Sequence, residues 1–389
     1  MKLLVVSHTG AMSGAEIATL RQLRAMPSRV RVTGAVPAGP FADALRSAGV
    51  PVLEIPGTRG SLKLHPVHTS RAVLDLGRSA LRIARPLAHS RPDAILAVTP
   101  RATLALAGLP GLPRTVTSVQ DALPPGLVTA LVRRVVDAAS DALVANSAYT
   151  AARLRALGFS TPTSIVHLPV DLEAFGSADA AAAAAFRAQA GAGRDALLIG
   201  VVAQITPWKG QDTLVEAMPK IVAAVPQARL VLVGQTTFTA AATRFDNRRY
   251  LDDLRDRVAA LGLTEHVVFA GPRTDMPAVM RGLDVLAAPS WEEPFGLSIA
   301  EAMAAGTPVA ATAVGGPPEF VPSSAGVLVA PRDPEAWAGA LTDLLADTGR
   351  RARLGAGARE AAAALTPAVS AECLLAVLED RQPGAAVDA

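Results

Sequence analysis

Two glutamates and a lysine carry the chemistry that the sequence makes most visible. In APSWEEPFGLSIAEAMAAGTPVAAT, Ala288 to Thr312, an apolar strand ends at Pro289 and Ser290 and an irregular turn follows. A helix is expected from near Pro294 to Gly306, before Pro308. Strand end, loop and helix start is where open α/β sheets bind ligands. The first-turn N–H groups of Phe295, Gly296 and Leu297 lack helical partners and lie at the positive end of the helix dipole, so a diphosphate fits there, and Gly296 permits close approach. Glu293, just before the helix, is placed to accept hydrogen bonds from sugar hydroxyls, and Glu301, two turns inside, to reach a ribose diol. A carboxylate accepts two such bonds in fixed geometry, which suits vicinal hydroxyls. An isolated glutamate at either place reads instead as a solvated N-cap charge or a surface helix residue; the 25-residue context argues against that.

That context resembles the E-x7-E signature of the family 4 retaining glycosyltransferases, with Glu293 and Glu301 in its two glutamate positions. The likeness continues through Val314, Gly315, Gly316 and Glu319 into GVLVAPRDPEAWAGAL. Upstream, ANSAYTAARLRALGF at Ala145 to Phe159 and VHLPVDLEAF at Val166 to Phe175 resemble the stretches that precede the interdomain crossing, so the likeness covers most of the chain and is densest from Val201 to Leu341. The resemblance implies an α/β chain of GT-B fold, two facing Rossmann-like doubly wound domains with parallel sheets and a site in the cleft. It also implies transfer of a sugar from a nucleotide diphosphate sugar to an acceptor hydroxyl on a glycan, a lipid-linked compound or a small molecule, with retention of configuration.

Three further segments belong to the same reading. In VVAQITPWKGQDTLVEAM a strand leads through Pro207 into a helix, and Lys209 at its start can neutralise phosphate oxygens as a point charge; the alternative is an ordinary exposed lysine. Relatives commonly carry an arginine five residues earlier, where this chain has Gln204. That amide donates a hydrogen bond without charge, so leaving-group stabilisation leans on Lys209 and the helix termini. SHTGAMSGAEIATLRQL, Ser7 to Leu23, resembles the family's N-terminal glycine loop, in which backbone near Gly14 approaches the donor phosphates and Glu16 opens a helix. Alone, Gly10 and Gly14 fit a turn needing positive φ equally well, and His8 either meets ligand or caps the loop. In VTSVQDALPPG many relatives carry His-Asp, with the histidine facing the reacting sugar; here Gln120 and Asp121 stand there, which excludes an imidazole base and leaves Gln120 to donate to a sugar hydroxyl. The nucleotide base is expected to be read near Gly271 to Arg273, with Arg273 among the donor-binding residues.

Short apolar runs must position all of these: Lys2 to Ser7, Arg29 to Val36, Ala94 to Val98, Arg114 to Val119, Ala142 to Ala145, Ala196 to Ala203, Ala228 to Val233, Val267 to Ala270 and Val285 to Ala288. They do not alternate cleanly and are spaced by helix-length segments, the pattern of parallel sheets covered on both faces. The expected organisation is an acceptor-binding Rossmann-like domain over 1–176, an alanine-rich linker without a hydrophobic stripe over 177–195, and a nucleotide-sugar-binding Rossmann-like domain over 196–365. A C-terminal helix over 366–381 is expected to return to the first domain, and a disordered tail to follow over 382–389.

Composition excludes several classes. A chain of 389 residues can bury the cores of two or three domains. Cys373 is its only cysteine, which rules out a disulfide framework and Cys-based zinc or iron–sulfur clusters and fits a reducing cytosol. The apolar start KLLVVSH is too short for a secretory segment, and no run of 18 uncharged apolar residues lacks Gly or Pro breaks, so a cytoplasmic location is expected. There is no D-x-D triplet, and the six histidines show no ligand spacing coupled to carboxylates, so neither a metal nor a cofactor beyond the donor is expected. Charge is uneven: 19 Lys and Arg face 10 Asp and Glu up to Phe175, giving +9, against 18 and 24 beyond it, giving −6. The first half is therefore expected to meet something anionic. Arg71, Arg78, Arg82 and Arg85 share one apparent helical face and, with Arg133 and Arg134, suit anionic lipid headgroups at the inner membrane face or a charged glycan; a merely solvated basic face is the alternative. With 4% aromatics and no binding motif, nucleic acid is not an expected partner. Competing readings are a nucleotide-sugar epimerase or a pyridoxal phosphate phosphorylase of related architecture, and a catalytically silent nucleotide-sugar-binding subunit, for which Gln204 and Gln120 speak. An NAD-linked dehydrogenase lacks its G-x-G-x-x-G after a strand.

Overall fold

The computed structural model describes residues 1–57, 66–193, 195–236 and 245–381, without the side chains of 66–73 and 86. The chain divides into two compact units, one made of Met1–Pro169 and the segment from Pro367, the other of Val170–Thr366. The first is built on β1 (Lys2–Val6), β2 (Arg31–Val36), β3 (Val52–Glu54), β4 (Ala94–Ala97), β5 (Arg114–Val119), β6 (Ala142–Ala145) and β7 (Thr163–Ile165), paired in parallel in the order β3-β2-β1-β4-β5-β6-β7. The second holds β8 (Leu197–Val202), β9 (Ala228–Val233), β10 (Val267–Gly271), β11 (Val285–Ala288), β12 (Val309–Thr312) and β13 (Gly326–Val329), also parallel, in the order β10-β9-β8-β11-β12-β13.

Burial on both faces explains why the strands read as continuous apolar runs. Leu3, Val5 and Leu96 pack with Leu20, Phe41 and Leu374, whereas Leu4, Val6 and Ile95 pack with Ile83 and Leu106 on the opposite face. In the second unit Leu214, Met218, Leu232, Val285, Trp337 and Leu341 form one cluster, and the Trp337 indole N–H donates to the Ala330 carbonyl at 2.9 Å. Strand order reverses between β1 and β4 in one unit and between β8 and β11 in the other. Loops leaving such a pair diverge and leave room for a ligand at the carboxyl ends. Four strands lie outside the expected set. β3 and β7 are three-residue edge strands, too short to stand out by periodicity, and β12 and β13 are the four-residue strands VAAT and GVLV.

Two expectations about organisation need correction. The segment 177–195 is not a joint: the division between units falls at Pro169/Val170 and again at Thr366/Pro367. Helix Ala180–Gln189 belongs to the second unit; Asp179 caps it, Ala183 and Phe186 are buried, and Arg187 bonds the Gly282 carbonyl at 2.8 Å and Asp284 at 2.9 Å. Two apolar residues suffice because the Phe186 ring settles against Gly282, which has no side chain to displace it. The helix expected from Pro294 begins at Leu297, because Glu293 is held in a bridge to Gly315 and Gly296 turns the chain at φ 99°. At the C-terminus, helix Pro367–Leu378 packs Leu374, Leu375, Val377 and Leu378 into the core of the first unit. The stretch Thr348–Leu378 is long and apolar enough to cross a membrane by length and composition, but it is half buried and interrupted by the extended residue Thr366. The tail expected over 382–389 lies outside the described residues.

Candidate functional site

The loops after β8 and β11 bring Lys209 and Glu293 together. Beyond β8, Pro207–Lys209 forms a single 3-10 turn and Gly210, at φ 70°, turns the chain into helix Gln211–Ala224. A Cβ on Gly210 would stand 2.1 Å from the Pro289 carbonyl oxygen, so a glycine here lets the two loops touch. The Trp291 N–H completes the contact by donating to the Trp208 carbonyl at 2.8 Å. Glu293 is fixed from its other side: its N–H donates to the Val314 carbonyl at 3.1 Å and its carbonyl accepts from Gly316 at 2.8 Å. At Gly315, φ 117°, a Cβ would lie 2.0 Å from the same Glu293 carbonyl.

Lys209 Nζ consequently stands 2.6 Å from Glu293 Oε2, with the two side chains 17% and 9% exposed. Ser290 Oγ donates to that same oxygen at 2.8 Å, and the Trp208 ring centroid lies 4.0 Å from the ammonium. A partly desolvated cation over an indole face gains a further attraction. An anion and a cation in contact at the carboxyl end of a parallel sheet can part to meet a ligand's phosphate and hydroxyls separately.

Around this pair the expected residues divide. The amides of Leu297 and Ser298 open helix Leu297–Ala305 and have no carbonyl one turn earlier within it, so the helix presents its positive end there. Phe295 lies before the helix, and its buried ring stacks on Phe320 at 4.6 Å, which makes its side chain floor. Glu301 lies in the second turn and is 7% exposed. The Gln204 carbonyl accepts from Gln211 Nε2 at 2.9 Å, tying the end of β8 to the next helix. Arg273 is engaged elsewhere: its guanidinium grips Asp275 through Nε at 2.7 Å and Nη2 at 2.5 Å and reaches Gln189 Oε1 at 2.6 Å. Its hydrogen bonds, with a smaller contribution from its charge, hold the Asp275 carboxyl below the usual range. The Arg273 side chain thus fastens the turn after β10 to helix Ala180–Gln189.

The first unit offers different chemistry at its own strand reversal. His8 and Thr99, from the loops after β1 and β4, meet with Nδ1 and Oγ1 2.9 Å apart. Burial, with a smaller push from the Arg101 charge, holds the His8 imidazole down to about 4, so it is neutral at pH 7. Gly14 is the first residue of helix Gly14–Ala25, opened by Ser13 and Glu16; the Ser13 N–H donates to Glu16 Oε2 at 3.1 Å. Burial pushes the Glu16 carboxyl up, against the opposing pull of its Ser13 bonds. Gln120 follows β5 with Nε2 donating to Ser118 Oγ at 3.2 Å, and its buried Oε1 has no partner among the described residues. A cavity of about 10 Å³ lined by Gln22, Ser118, Gln120 and Asn146 adjoins it, room for about one water.

Of the basic residues, Arg82 donates to the Glu54 carbonyl at 2.8 Å and Arg133 to the Gly158 carbonyl at 2.9 Å, so both brace the fold. Arg78, Arg85 and Arg134 are exposed, the first two on the same helix as the exposed Leu74 and Leu81; the Arg71 side chain lies outside the described ones. Among the described residues no group of three or more His, Cys, Asp and Glu is placed to hold a metal ion. Ser290 and Trp208 are site residues that sequence reasoning missed. The only signal for Ser290 is a hydroxyl at a strand end three residues before Glu293.

Residues 183–361 match the family described as Glycosyl transferases group 1, and residues 12–174 the one described as Glycosyltransferase Family 4. A D-inositol 3-phosphate glycosyltransferase of Stackebrandtia nassauensis is 40% identical over 254 residues, 63% of this chain and 55% of that protein. One of Mycolicibacterium vanbaalenii is 38% identical over 221 residues, 55% of this chain and 47% of that protein. The chain thus spans about half the length of the curated relatives it matches. Among solved structures, Anabaena Alr3699/HepE in complex with UDP-glucose superposes with a TM-score of 0.81 at 23% identity, covering 98% of this chain and 100% of that one. Sucrose-phosphate synthase from Thermosynechococcus elongatus gives 0.76 at 23% identity, covering 97% and 98%. At such identity these two are similar in fold.

Proposed function

We propose a function from one premise: the chain belongs to the family 4 glycosyltransferases and has their GT-B fold. It moves a glycosyl group from a nucleoside diphosphate sugar to an acceptor hydroxyl, with retention and without a metal. The observation that carries this reading is the Lys209–Glu293 pair, 2.6 Å apart beside the start of helix Leu297–Ala305. As the bond from the anomeric carbon to the phosphate oxygen breaks, negative charge grows on the leaving diphosphate. Lys209 and the amides of Leu297 and Ser298 neutralise it. Glu293 orients the sugar through its hydroxyls and Glu301 takes the ribose diol. The acceptor oxygen bonds to the anomeric carbon on the face the phosphate leaves, and its proton passes to the departing phosphate oxygen. Retention is supported by family membership, and metal independence by the lack of a D-x-D triplet together with a lysine placed to do a cation's work.

UDP-glucose is bound in the Anabaena complex, and D-inositol 3-phosphate stands in the relatives' name, so these head the donors and acceptors to try. The excess positive charge before Phe175, with Arg78, Arg85 and Arg134 exposed, supports a cytoplasmic protein resting on an anionic membrane face. Sedimentation with anionic but not neutral vesicles is the expected result, and equal, negligible binding would remove that placement.

The function is tested by incubating the protein with UDP-, GDP- and ADP-sugars, with and without acceptor, and following nucleoside diphosphate release. Acceptor-dependent release is expected, together with thermal stabilisation by one diphosphate, worth about 2.7 kcal/mol at 100 times its Kd. A second reading, a silent nucleotide-sugar-binding subunit, is favoured by Gln120, whose amide is turned to Ser118. Stabilisation without release under any acceptor would select it, and interconversion of the donor sugar without release would select an epimerase.

A further inference from the structure

Glu293 Oε2 receives two donors of different character. Lys209 extends from a single 3-10 turn on a flexible four-carbon stem and carries charge, so an incoming phosphate can draw it away. Ser290 cannot follow. It is 2% exposed, it sits one residue beyond Pro289, whose carbonyl is packed against Gly210, and Trp291 after it is bonded to the Trp208 carbonyl. Its hydroxyl is therefore a fixed donor at 2.8 Å to a carboxylate whose other partner is mobile. Glu293 Oε1 takes part in neither bond.

We propose that Ser290 is a positioning residue: it retains Oε2 of Glu293 when the donor diphosphate takes Lys209, so that the carboxylate keeps its orientation and its charge while Oε1 meets the sugar. The inference rests on the donor-site reading above. Without the hydroxyl, the carboxylate in the donor complex loses a charge-assisted hydrogen bond, and its orientation is no longer imposed. Donor affinity, carried mainly by Lys209, the helix amides and Glu301, changes little; the loss falls on turnover.

The test compares the parent with Ser290→Ala, Ser290→Cys and Ser290→Thr over a range of donor concentrations up to saturation. Cysteine keeps much of the volume with a weak donor, and threonine keeps the hydroxyl. For Ala and Cys the expected result is a kcat lower by about ten- to a hundredfold, the worth of a hydrogen bond to a charged group. Their donor KM stays within about threefold. Threonine should restore kcat. Unfolding midpoints are read alongside, and whichever of Ala or Cys folds like the parent decides. Parental kcat in that variant, or a loss that falls on donor KM with kcat kept, overturns the proposal. Glu293→Ala separates the two failures: if it too keeps full turnover, the donor-site reading itself has failed, whereas if it is inactive only the role of Ser290 is lost.

Discussion

At the strand reversal of the first unit, two neutral groups face each other, His8 and Thr99 at 2.9 Å. At the reversal of the second, a cation and an anion stand 2.6 Å apart. Both positions arise from the same topology, in which loops diverge at the carboxyl ends of adjacent parallel strands. Topology supplies the place; residue type decides what happens there. Between β8 and β11, glycines at 210 and 315 let backbones touch and drive Lys209 and Glu293 into contact, where an incoming ligand can substitute for either partner. Between β1 and β4, burial and, less strongly, the Arg101 charge keep His8 neutral, so the His8–Thr99 contact exchanges hydrogen bonds only. On the proposed function, handling of a diphosphate falls to the second unit and handling of neutral hydroxyls to the first.

The contrast breaks most sharply at the charged pair. Lys209→Ala and Glu293→Ala should each lower kcat by on the order of 10² to 10³, the worth of one preorganised stabilising group, and near-parental turnover in either would remove that residue from the site. The next effect concerns the neutral edge. Between about pH 6.5 and 4 the unfolded chain protonates its histidine while folded His8 stays neutral, so the unfolded state binds more protons and stability falls as pH drops through that window. The loss is at most about 3 kcal/mol. Urea unfolding at pH 7 and pH 4.5 should show His8→Asn losing less stability than the parent; identical losses would place a charge on His8 after all. Gly315→Ala comes third, with about 1–3 kcal/mol of destabilisation from its left-handed backbone and a displaced Glu293 carbonyl, read as a lowered melting temperature with reduced turnover. Glu301→Ala should act least on the chemistry, raising donor KM with kcat nearly kept; an unchanged KM contradicts a ribose role.

The second unit's edge was legible because the apolar runs of β8 and β11 each give way to a short polar loop and then a helix, so Lys209 and Glu293 could be placed at strand ends from sequence. Their mutual contact was not legible. It depends on Gly210 admitting the Pro289 carbonyl, 79 residues further on, and Gly315 the Glu293 carbonyl, 22 residues back, which no local pattern reports. What sequence did not show for Arg273 is its partner: it lies near a strand end as expected, and Asp275, two residues away, takes its guanidinium. The helix at Ala180–Gln189 looked too poor in apolar residues to pack, and does so by fitting one ring against Gly282.

The most direct measurement is calorimetric titration of the parent and of Lys209→Met with the nucleoside diphosphate that gives the largest thermal stabilisation. Binding by the parent, weakened about tenfold or more in the variant, is expected from an ammonium that meets the phosphates. Equal affinity in the two proteins, or no binding of any nucleoside diphosphate by the parent, would contradict the assignment of that edge.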